Sequence, residues 1–559
     1  MTWELKNAVK ELGAQETFLE NFNFHKRHRV AFLYPNTYNV GMSNLGLHIL
    51  YNLINNMHDV CCERFFLPDA KSLDKYQKTN SSLYSVETQR KMLDFEIVAA
   101  SLSFEGDYFN FLQMLELGRV QLEAAKRKDL EPFVIVGGPC ATFNPIPLSL
   151  VADAFIIGEG EESLVQLVSS LLATRGLPRA ERLAKIATIP GVYVPSVANN
   201  TSRQLVDNLA EYPNHSVIVT PQTEFGKMLI VELSRGCGRG CRFCMAGYAF
   251  RYPRHRSLAE VKATIDKYAE HADKIGLMGP AVSDYPWILE LAEYILDKGL
   301  DFSVASLRAD TLTPKLVEHL ANSGQRTLTI APEAGSQRLR DIINKGISEE
   351  NIYASVELLA KAKIPNLKLY IMLGLPFEQD EDIEQLIDMV GRIRTKMNEV
   401  KAFGKLILSI NTFVPKPATP FQWLPMLDKK TIEARLKTIR NAFKGMRGIE
   451  INAESYKESV IQALLAKGDI AIARSLLTAQ ARGGVKQLLP VLKENNIELD
   501  DYIYQGKELS DTLPWEHLDM GFNKQYLWQE YLKAKEGKVS ANCMPNCRRC
   551  GVCKDGRGL

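Results

Sequence analysis

Short, nearly continuous apolar runs recur in the first third of the chain. Val30–Tyr34 (VAFLY), Glu96–Ser101 (EIVAAS), Phe133–Gly137 (FVIVG) and Ala154–Gly158 (AFIIG) read as strands of a sheet buried on both faces. Helical stretches around 43–56, 107–125 and 160–174 separate them, and the glycine-rich segments GGP at 137–139 and GEGEES at 158–163 follow strands. This alternation predicts a doubly wound, Rossmann-like α/β domain over 29–175, with its ligand crevice beyond the carboxyl ends of the strands. Residues 1–28 are expected to form a helical lead-in ending in the basic HKRHR.

Residues 176–228 are irregular and proline-punctuated, at Pro190, Pro195, Pro213 and Pro221, and are expected to form a linker. A second α/β run follows, with strands near 229–233, 274–278, 302–306, 327–331, 367–373 and 406–413. Its helices carry start and stop signals. Ser257–Leu–Ala–Glu260 reads as a capping box, Thr313 precedes Pro314 at a first helical position, and Gly324 ends that helix. Ile383, Leu386, Ile387, Val390 and Ile393 form a helical apolar stripe. Six strand–helix repeats over 229–428 suit a partial (β/α)6 barrel, since a full eightfold one needs nearer 250 residues. Beyond 428 amphipathic segments (429–445, 455–478, 483–495, 522–536) predict a helical C-terminal module to about 540, followed by a polar, Cys-rich tail over 541–559.

Composition narrows the class. At 559 residues, 46% of them apolar and 24% charged, the chain has material for three or four domains and is no disordered or fibrous polypeptide. The formal net charge of +2 gives no global pull toward nucleic acid or anionic membrane. The opening MTWELKNAVKEL carries charge where a signal peptide would be apolar, and no apolar run reaches the roughly 18 residues of a membrane span. The expectation is a soluble cytoplasmic protein. Of ten cysteines, Cys61, Cys62 and Cys140 are scattered and read as ordinary buried residues, while the other seven form two clusters. In a reducing compartment such clusters hold metal more often than disulfides.

The first cluster, Cys237, Cys241 and Cys244, has Cys-x3-Cys-x2-Cys spacing and follows the first strand of the second α/β run (LIVELSRGCGRGCRFCMAGY). Three thiolates do not close a structural zinc site, which takes four ligands; His255 would have to supply the fourth. A four-iron cluster held by three cysteines keeps one iron open to a small molecule bearing amino and carboxylate groups. Gly236, Gly238 and Gly240 let the loop wrap tightly, and Phe243 can screen the cluster from solvent.

This Cys-x3-Cys-x-aromatic-Cys loop, placed after the first strand of a partial barrel, resembles the radical SAM superfamily. The resemblance implies a [4Fe-4S] cluster whose open iron binds S-adenosylmethionine, reductive cleavage to a 5′-deoxyadenosyl radical, and an electron donor such as flavodoxin or ferredoxin. It extends through SVASLRAD at 303–310, TIAPEAGSQRLRDIINKG at 329–346, YIMLGLPFEQDEDI at 370–383 and SINTFVPKPATPFQW at 409–423. It implies that Ser306 and Arg308 line the adenosylmethionine site, Glu333 meets the ribose region, Arg338 pairs with the carboxylate, and Gly374 admits the adenine. Gly279 and Pro280 stand where the family contacts the methionine moiety, although GLMGP departs from the usual Gly-Gly-Glu form.

SLSFEGDYFN at 101–110, GGPCATFNP at 137–145 and AFIIGEGEES at 154–163 resemble the cobalamin (B12)-binding-type domain that precedes many radical SAM barrels. The resemblance implies a corrin over the strand ends, with Gly137 and Gly138 making room and Ser101 and Ser103 donating to it. No Asp-x-His-x-x-Gly motif supplies an axial histidine, and Cys140 stands where relatives often have His. The second cluster, Cys543, Cys547, Cys550 and Cys553, fits either a closed zinc site or a second [4Fe-4S] cluster. Arg548, Arg549, Lys554 and Arg557 around it make a thin footprint for RNA. With LPWEHLDMGFNKQYL at 513–527, the tail resembles an uncharacterised radical SAM branch that ends in Cys-Gly-x-Cys. The expected function is radical modification of an unknown substrate, by methyl transfer where cobalamin is present. The alternatives are methylthiotransferase-like RNA modification and a non-catalytic iron–sulfur sensor or scaffold.

Overall fold

The computed structural model describes residues 2–402, 404–544 and 547–553. Its first domain is built on a sheet of β1 (His28–Tyr34), β2 (Val60–Phe66), β3 (Ile97–Ser101), β4 (Phe133–Gly137), β5 (Ala154–Ile156) and β6 (Val192–Tyr193). The spatial order is β2-β1-β3-β4-β5-β6, with β6 antiparallel to β5 and the rest parallel. The first five follow a doubly wound order whose switch point lies between β1 and β3. Successive residues feed opposite faces: Val30, Phe32 and Tyr34 join one core, Ala31 and Leu33 the other. That is why these strands read as unbroken apolar runs.

Strand β2 escapes the apolar reading because Glu63 and Arg64 interrupt it, yet both are fully buried. Arg64 donates to the carboxylates of Glu16 and Glu87 at 2.6–2.8 Å and lies 5.1 Å from the Tyr51 ring. Unpaired, such a buried cation would cost several kcal/mol. The segment expected as a linker is tied into the fold. It holds a helix, Arg179–Ile186, and strand β6. Thr201–Ser202 pair with Leu518–Asp519, and Ile218–Val219 with Thr17–Phe18.

The second domain has seven parallel strands among the described residues. They are β7 (Met228–Glu232), β8 (Lys274–Met278), β9 (Asp301–Ser303), β10 (Thr327–Glu333), β11 (Asn366–Leu373), β12 (Leu406–Thr412) and β13 (Ile449–Ala453). Two sheets, β7-β8-β9 and β10-β11-β12-β13, are joined by the Leu307–Ile330 bridge. The barrel is thus partial, as expected, with one strand more. β13 (IEINA) lies inside the stretch read as helical, where its polar alternate positions hid it, and α-helix Lys429–Ala442 is its crossover. Along β11, Leu367, Leu369, Ile371 and Leu373 pack with the helix residues Leu359, Met389 and Val390. The alternate Lys368, Tyr370 and Met372 are half-buried and face the bore.

Helix signals hold with one amendment. Ser257 caps its helix through the Glu260 N–H, but the Glu260 carboxylate takes Arg256 at 2.7 Å rather than closing a capping box. Helices after 453 brace the first domain: Asn144 Nδ2 donates to the Ala466 and Gly468 carbonyls at 3.0 and 2.8 Å. Among the described residues no helix is long and apolar enough to cross a membrane.

Candidate functional site at the cysteine loop and domain junction

β7 runs directly into the three-cysteine loop. Ser234–Arg235 pair antiparallel with Arg254–His255, so the chain returns close beside itself. Gly236 takes φ +71°, and a Cβ there would stand 2.1 Å from the Phe250 carbonyl oxygen, which leaves only glycine. Asn344 Nδ2 donates to the Gly240 carbonyl at 3.0 Å, while Asn344 Oδ1 accepts from the Ser540 N–H at 2.8 Å. Arg242 is fully buried. It donates to the Ile342 and Lys538 carbonyls, both at 2.7 Å, and pairs with Glu530 at 3.2 Å. Arg239 forks onto Asp284 at 2.7 and 2.8 Å. The loop is therefore walled by barrel and tail together.

Cys241 is buried, and Cys237 and Cys244 are half-buried. Burial first, then the neighbouring Cys241 and Cys237 thiols, push Cys244 up to about 12. Burial also raises Cys237. Among the described residues no three metal-donor side chains stand in ligating arrangement. Fit therefore rests on the donor set: three soft thiols within eight residues of one loop suit iron–sulfur ligation. His255, the candidate fourth zinc ligand, is held in the strand pair with its ring 6.1 Å from that of Tyr285.

At the carboxyl end of β10, Glu333 (φ +68°) accepts from Lys345 Nζ at 2.9 Å. Burial works against the Lys345 charge, but Glu333 prevails and holds its pKa above the ordinary lysine value. Lys345 also lies 5.8 Å from the Phe243 ring, and Phe243 packs against the apolar cluster that includes Ala334, Leu339, Ile343 and Phe413. Lys345 was not singled out from sequence; its signal is its place between Asn344 (φ +53°) and Gly346 (φ +65°), a left-handed helix stop. Arg308 is buried, bonding Asp310 at 2.9 Å and the Lys345 carbonyl at 2.7 Å. Ser306 is exposed. Arg338 turns elsewhere, to Asp382 and to the Phe377 carbonyl at 2.9 Å. At Gly374 the N–H donates to Glu378 at 2.8 Å, and a Cβ would meet Ile432 at 2.8 Å.

A cavity of about 330 Å³ opens where the two domains meet. Ser101, Ser103, Gly137 and Gly138 line it from the first domain, and Gly236 and Pro280 from the barrel. Gly279, next to Pro280, lets the strand ends close up: a Cβ there would be 2.7 Å from Ser234 Oγ. Gly138 has φ +93°, and a Cβ would lie 2.6 Å from the Leu102 carbonyl oxygen. A charged cluster forms one wall, with Glu159 and Glu161 drawn from the GEGEES segment: Arg235 pairs with Glu161 at 2.5 Å and Glu232 at 2.7 Å, and Arg254, behind the lining, pairs with Glu159 at 2.6 Å. Burial raises the Glu161 pKa, with Arg235 opposing it. Cys61, Cys62 and Cys140 are buried, and among the described residues neither Cys140 nor any histidine lines the cavity.

The tail folds back onto the first cysteine loop: the Cys543 N–H donates to the Gly238 carbonyl at 2.7 Å. Cys550 and Cys553 are buried and Cys543 and Cys547 half-buried. Lys554 and Arg557 lie outside the described residues.

Comparison with known proteins places this architecture. Residues 231–390 match the family model of the radical SAM superfamily, and residues 46–195 that of the N-terminal region of radical SAM proteins. An uncharacterized Methanocaldococcus jannaschii protein, MJ0966, is 30% identical over 482 residues, covering 85% of this chain and 95% of its own. The tRNA-2-methylthio-N(6)-dimethylallyladenosine synthase of Carboxydothermus hydrogenoformans is 25% identical over 252 residues, 43% of this chain and 54% of that protein. Among solved structures, the cobalamin-dependent S-adenosylmethionine radical enzyme OxsB with aqua-cobalamin bound aligns over 91% of this chain and 80% of its own. Its TM-score is 0.52 at 13% identity, a likeness of fold.

Proposed function

Since the chain belongs to the radical SAM superfamily, we propose that it is a cobalamin-linked radical enzyme that methylates an unreactive carbon of its substrate. Cys237, Cys241 and Cys244 hold the four-iron cluster. When loaded, such a cluster would supply the one-electron reducing chemistry that cleaves adenosylmethionine. The protein's own residues do the positioning. Lys345, with Glu333 as counter-charge, presents a buried ammonium beside the cysteine loop, suited to a carboxylate. Arg239, Arg308, Asp284 and Asp310 form a rigid charged wall behind Cys237. The half-buried bore and the braced first domain limit the access of water to a reactive intermediate.

One observation carries the cobalamin part of this reading: the small residues after β3 and β4 and the start of the cysteine loop line a single cavity. Its place beyond the strand ends, beside the switch point, is where open α/β sheets bind ligands. Glycines 137 and 138 admit one face of a planar macrocycle, and Ser101 and Ser103 offer hydroxyls to its amides. Among the described residues no histidine lines the cavity, so a bound cobalamin would be held by the small and hydroxyl residues of the lining.

Anaerobic reconstitution with iron, sulfide and hydroxocobalamin tests the reading. A corrin spectrum that survives gel filtration, with 5′-deoxyadenosine formed under reducing conditions, is expected. Absence of the corrin with deoxyadenosine still formed would leave a radical SAM enzyme without cobalamin. The likeness to the tRNA synthase favours a second reading, RNA modification by methylthio transfer, which requires sulfur on the product. Transfer of label from [methyl-14C]-adenosylmethionine to bulk tRNA together with sulfur would select it.

A further inference from the structure

The four tail cysteines are unused by the function proposed above. Cys547-x2-Cys550-x2-Cys553 repeats the Cys-x2-Cys-x2-Cys run that wraps a four-iron cluster in bacterial ferredoxins, with Cys543 four positions upstream of Cys547. Structural zinc more often draws two knuckles from separated stretches of chain. We infer that Cys543, Cys547, Cys550 and Cys553 hold a second [4Fe-4S] cluster, docked against the loop that holds the first.

Three features of the fold support this. The tail is held in place rather than trailing: Arg242 takes the Lys538 carbonyl, Asn344 the Ser540 N–H, and Gly238 the Cys543 N–H at 2.7 Å. At the other end the Asn523 N–H donates to the Cys550 carbonyl at 3.1 Å. The site also has a cation without a carboxylate. Arg251 is buried at 3% exposure, and its Nε has no hydrogen-bond partner among the described residues. Among the described residues its guanidinium donates to the Tyr526 hydroxyl at 3.3 Å and the Arg239 carbonyl at 3.5 Å and lies 5.4 Å from the Tyr248 ring, with no carboxylate partner. A buried guanidinium needs a counter-charge, and a four-thiolate cluster carries net negative charge. Arg549 Nε, which donates to Cys547 Sγ at 3.2 Å, adds a second cation on the outer side. Finally, the Cys543 Cβ lies only 3.7 Å from where a Cβ on Gly238 would stand, so the two cysteine segments are in contact.

Iron, acid-labile sulfide and zinc counted per chain on anaerobically purified, reconstituted full-length protein test the inference. About eight irons and eight sulfides are expected, with zinc near zero. Cys550→Ser with Cys553→Ser should lower iron to about four. The complementary Cys237→Ser, Cys241→Ser, Cys244→Ser chain should also retain about four, with a reduced-cluster EPR signal. About four irons and one zinc in the unaltered protein, the zinc disappearing with the tail substitutions, would overturn the inference. If the tail variant does not fold, the triple loop variant decides alone: iron near zero there overturns it. Iron unchanged in the triple loop variant would instead defeat the assignment of the first cluster, a distinguishable failure.

Discussion

The sheet of the first domain and the β10–β13 sheet of the barrel use burial differently. In the first domain neighbouring positions of a strand are both dry: Phe65 packs in one core and Phe66 in the other. Along β10, β11 and β12 of the barrel only alternate positions are, so Leu369 is sealed while Tyr370 looks into the bore. A sheet covered on both faces can meet a ligand only at its rim, and the first-domain cavity lies there. A sheet with one half-open face can take a ligand between its strands and the opposite wall, which suits a substrate approached by a short-lived radical.

The contrast is open to attack by mutation. Phe65→Ala and Phe66→Ala should each destabilise by about 4 kcal/mol, and Leu369→Ala by about 3 kcal/mol, whereas Tyr370→Ala should cost less than about 1 kcal/mol. Urea denaturation of each variant checks this, and a Tyr370→Ala penalty equal to that of Leu369→Ala would dissolve the distinction. Next in size, Lys345→Met removes a charge-assisted contact at the bore end and strands Glu333. A loss of about 2 kcal/mol, or roughly thirtyfold in 5′-deoxyadenosine formation, is expected at unchanged iron content. Retained rate would remove Lys345 from the site.

Rim and bore can then be separated. A Cβ at Gly137 meets only Ile156, at an ordinary 3.6 Å, so the backbone tolerates a side chain there. Gly137→Leu should fill cavity space and weaken corrin retention about tenfold, while deoxyadenosine formation changes less than twofold. Equal loss of both would merge the two regions into one site. The smallest effect concerns pH. His48, beneath the first sheet, is fully buried, and burial lowers its pKa to about 4. The unfolded chain therefore binds its proton first, and stability falls as pH drops below about 6.5 toward 4. Between pH 7.5 and 6 the loss is about 1 kcal/mol. His48→Gln should abolish that increment, seen as a narrowing gap in Tm between the variant and the unaltered protein.

Much of the architecture is legible in the sequence because it is locally encoded. The strands with uninterrupted apolar runs, the glycines after β4 and the three-cysteine spacing are all readable without a partner. What escaped depends on distant chain. β2 holds Arg64, whose burial makes sense only once Glu16 and Glu87 arrive from elsewhere. β13 has a polar alternation that reads as surface until β12 pairs with it. In the site, Ser101, Ser103, Gly137 and Gly138 were findable as small residues after strands. Lys345 was not, since its meaning comes from Glu333 on another element. Arg338 shows the reverse: a charged residue in a suggestive motif, satisfied by Asp382 away from the cysteine loop.

Arg242 has a consequence for how the molecule is made. Its guanidinium is completed by the carbonyl of a residue 296 positions later in the chain. Synthesis runs from the amino end at about 5–20 residues per second, so the three-cysteine segment emerges well before its last covering piece. During that interval one side of the segment stays uncovered. Once the final stretch settles, the same contacts close over it.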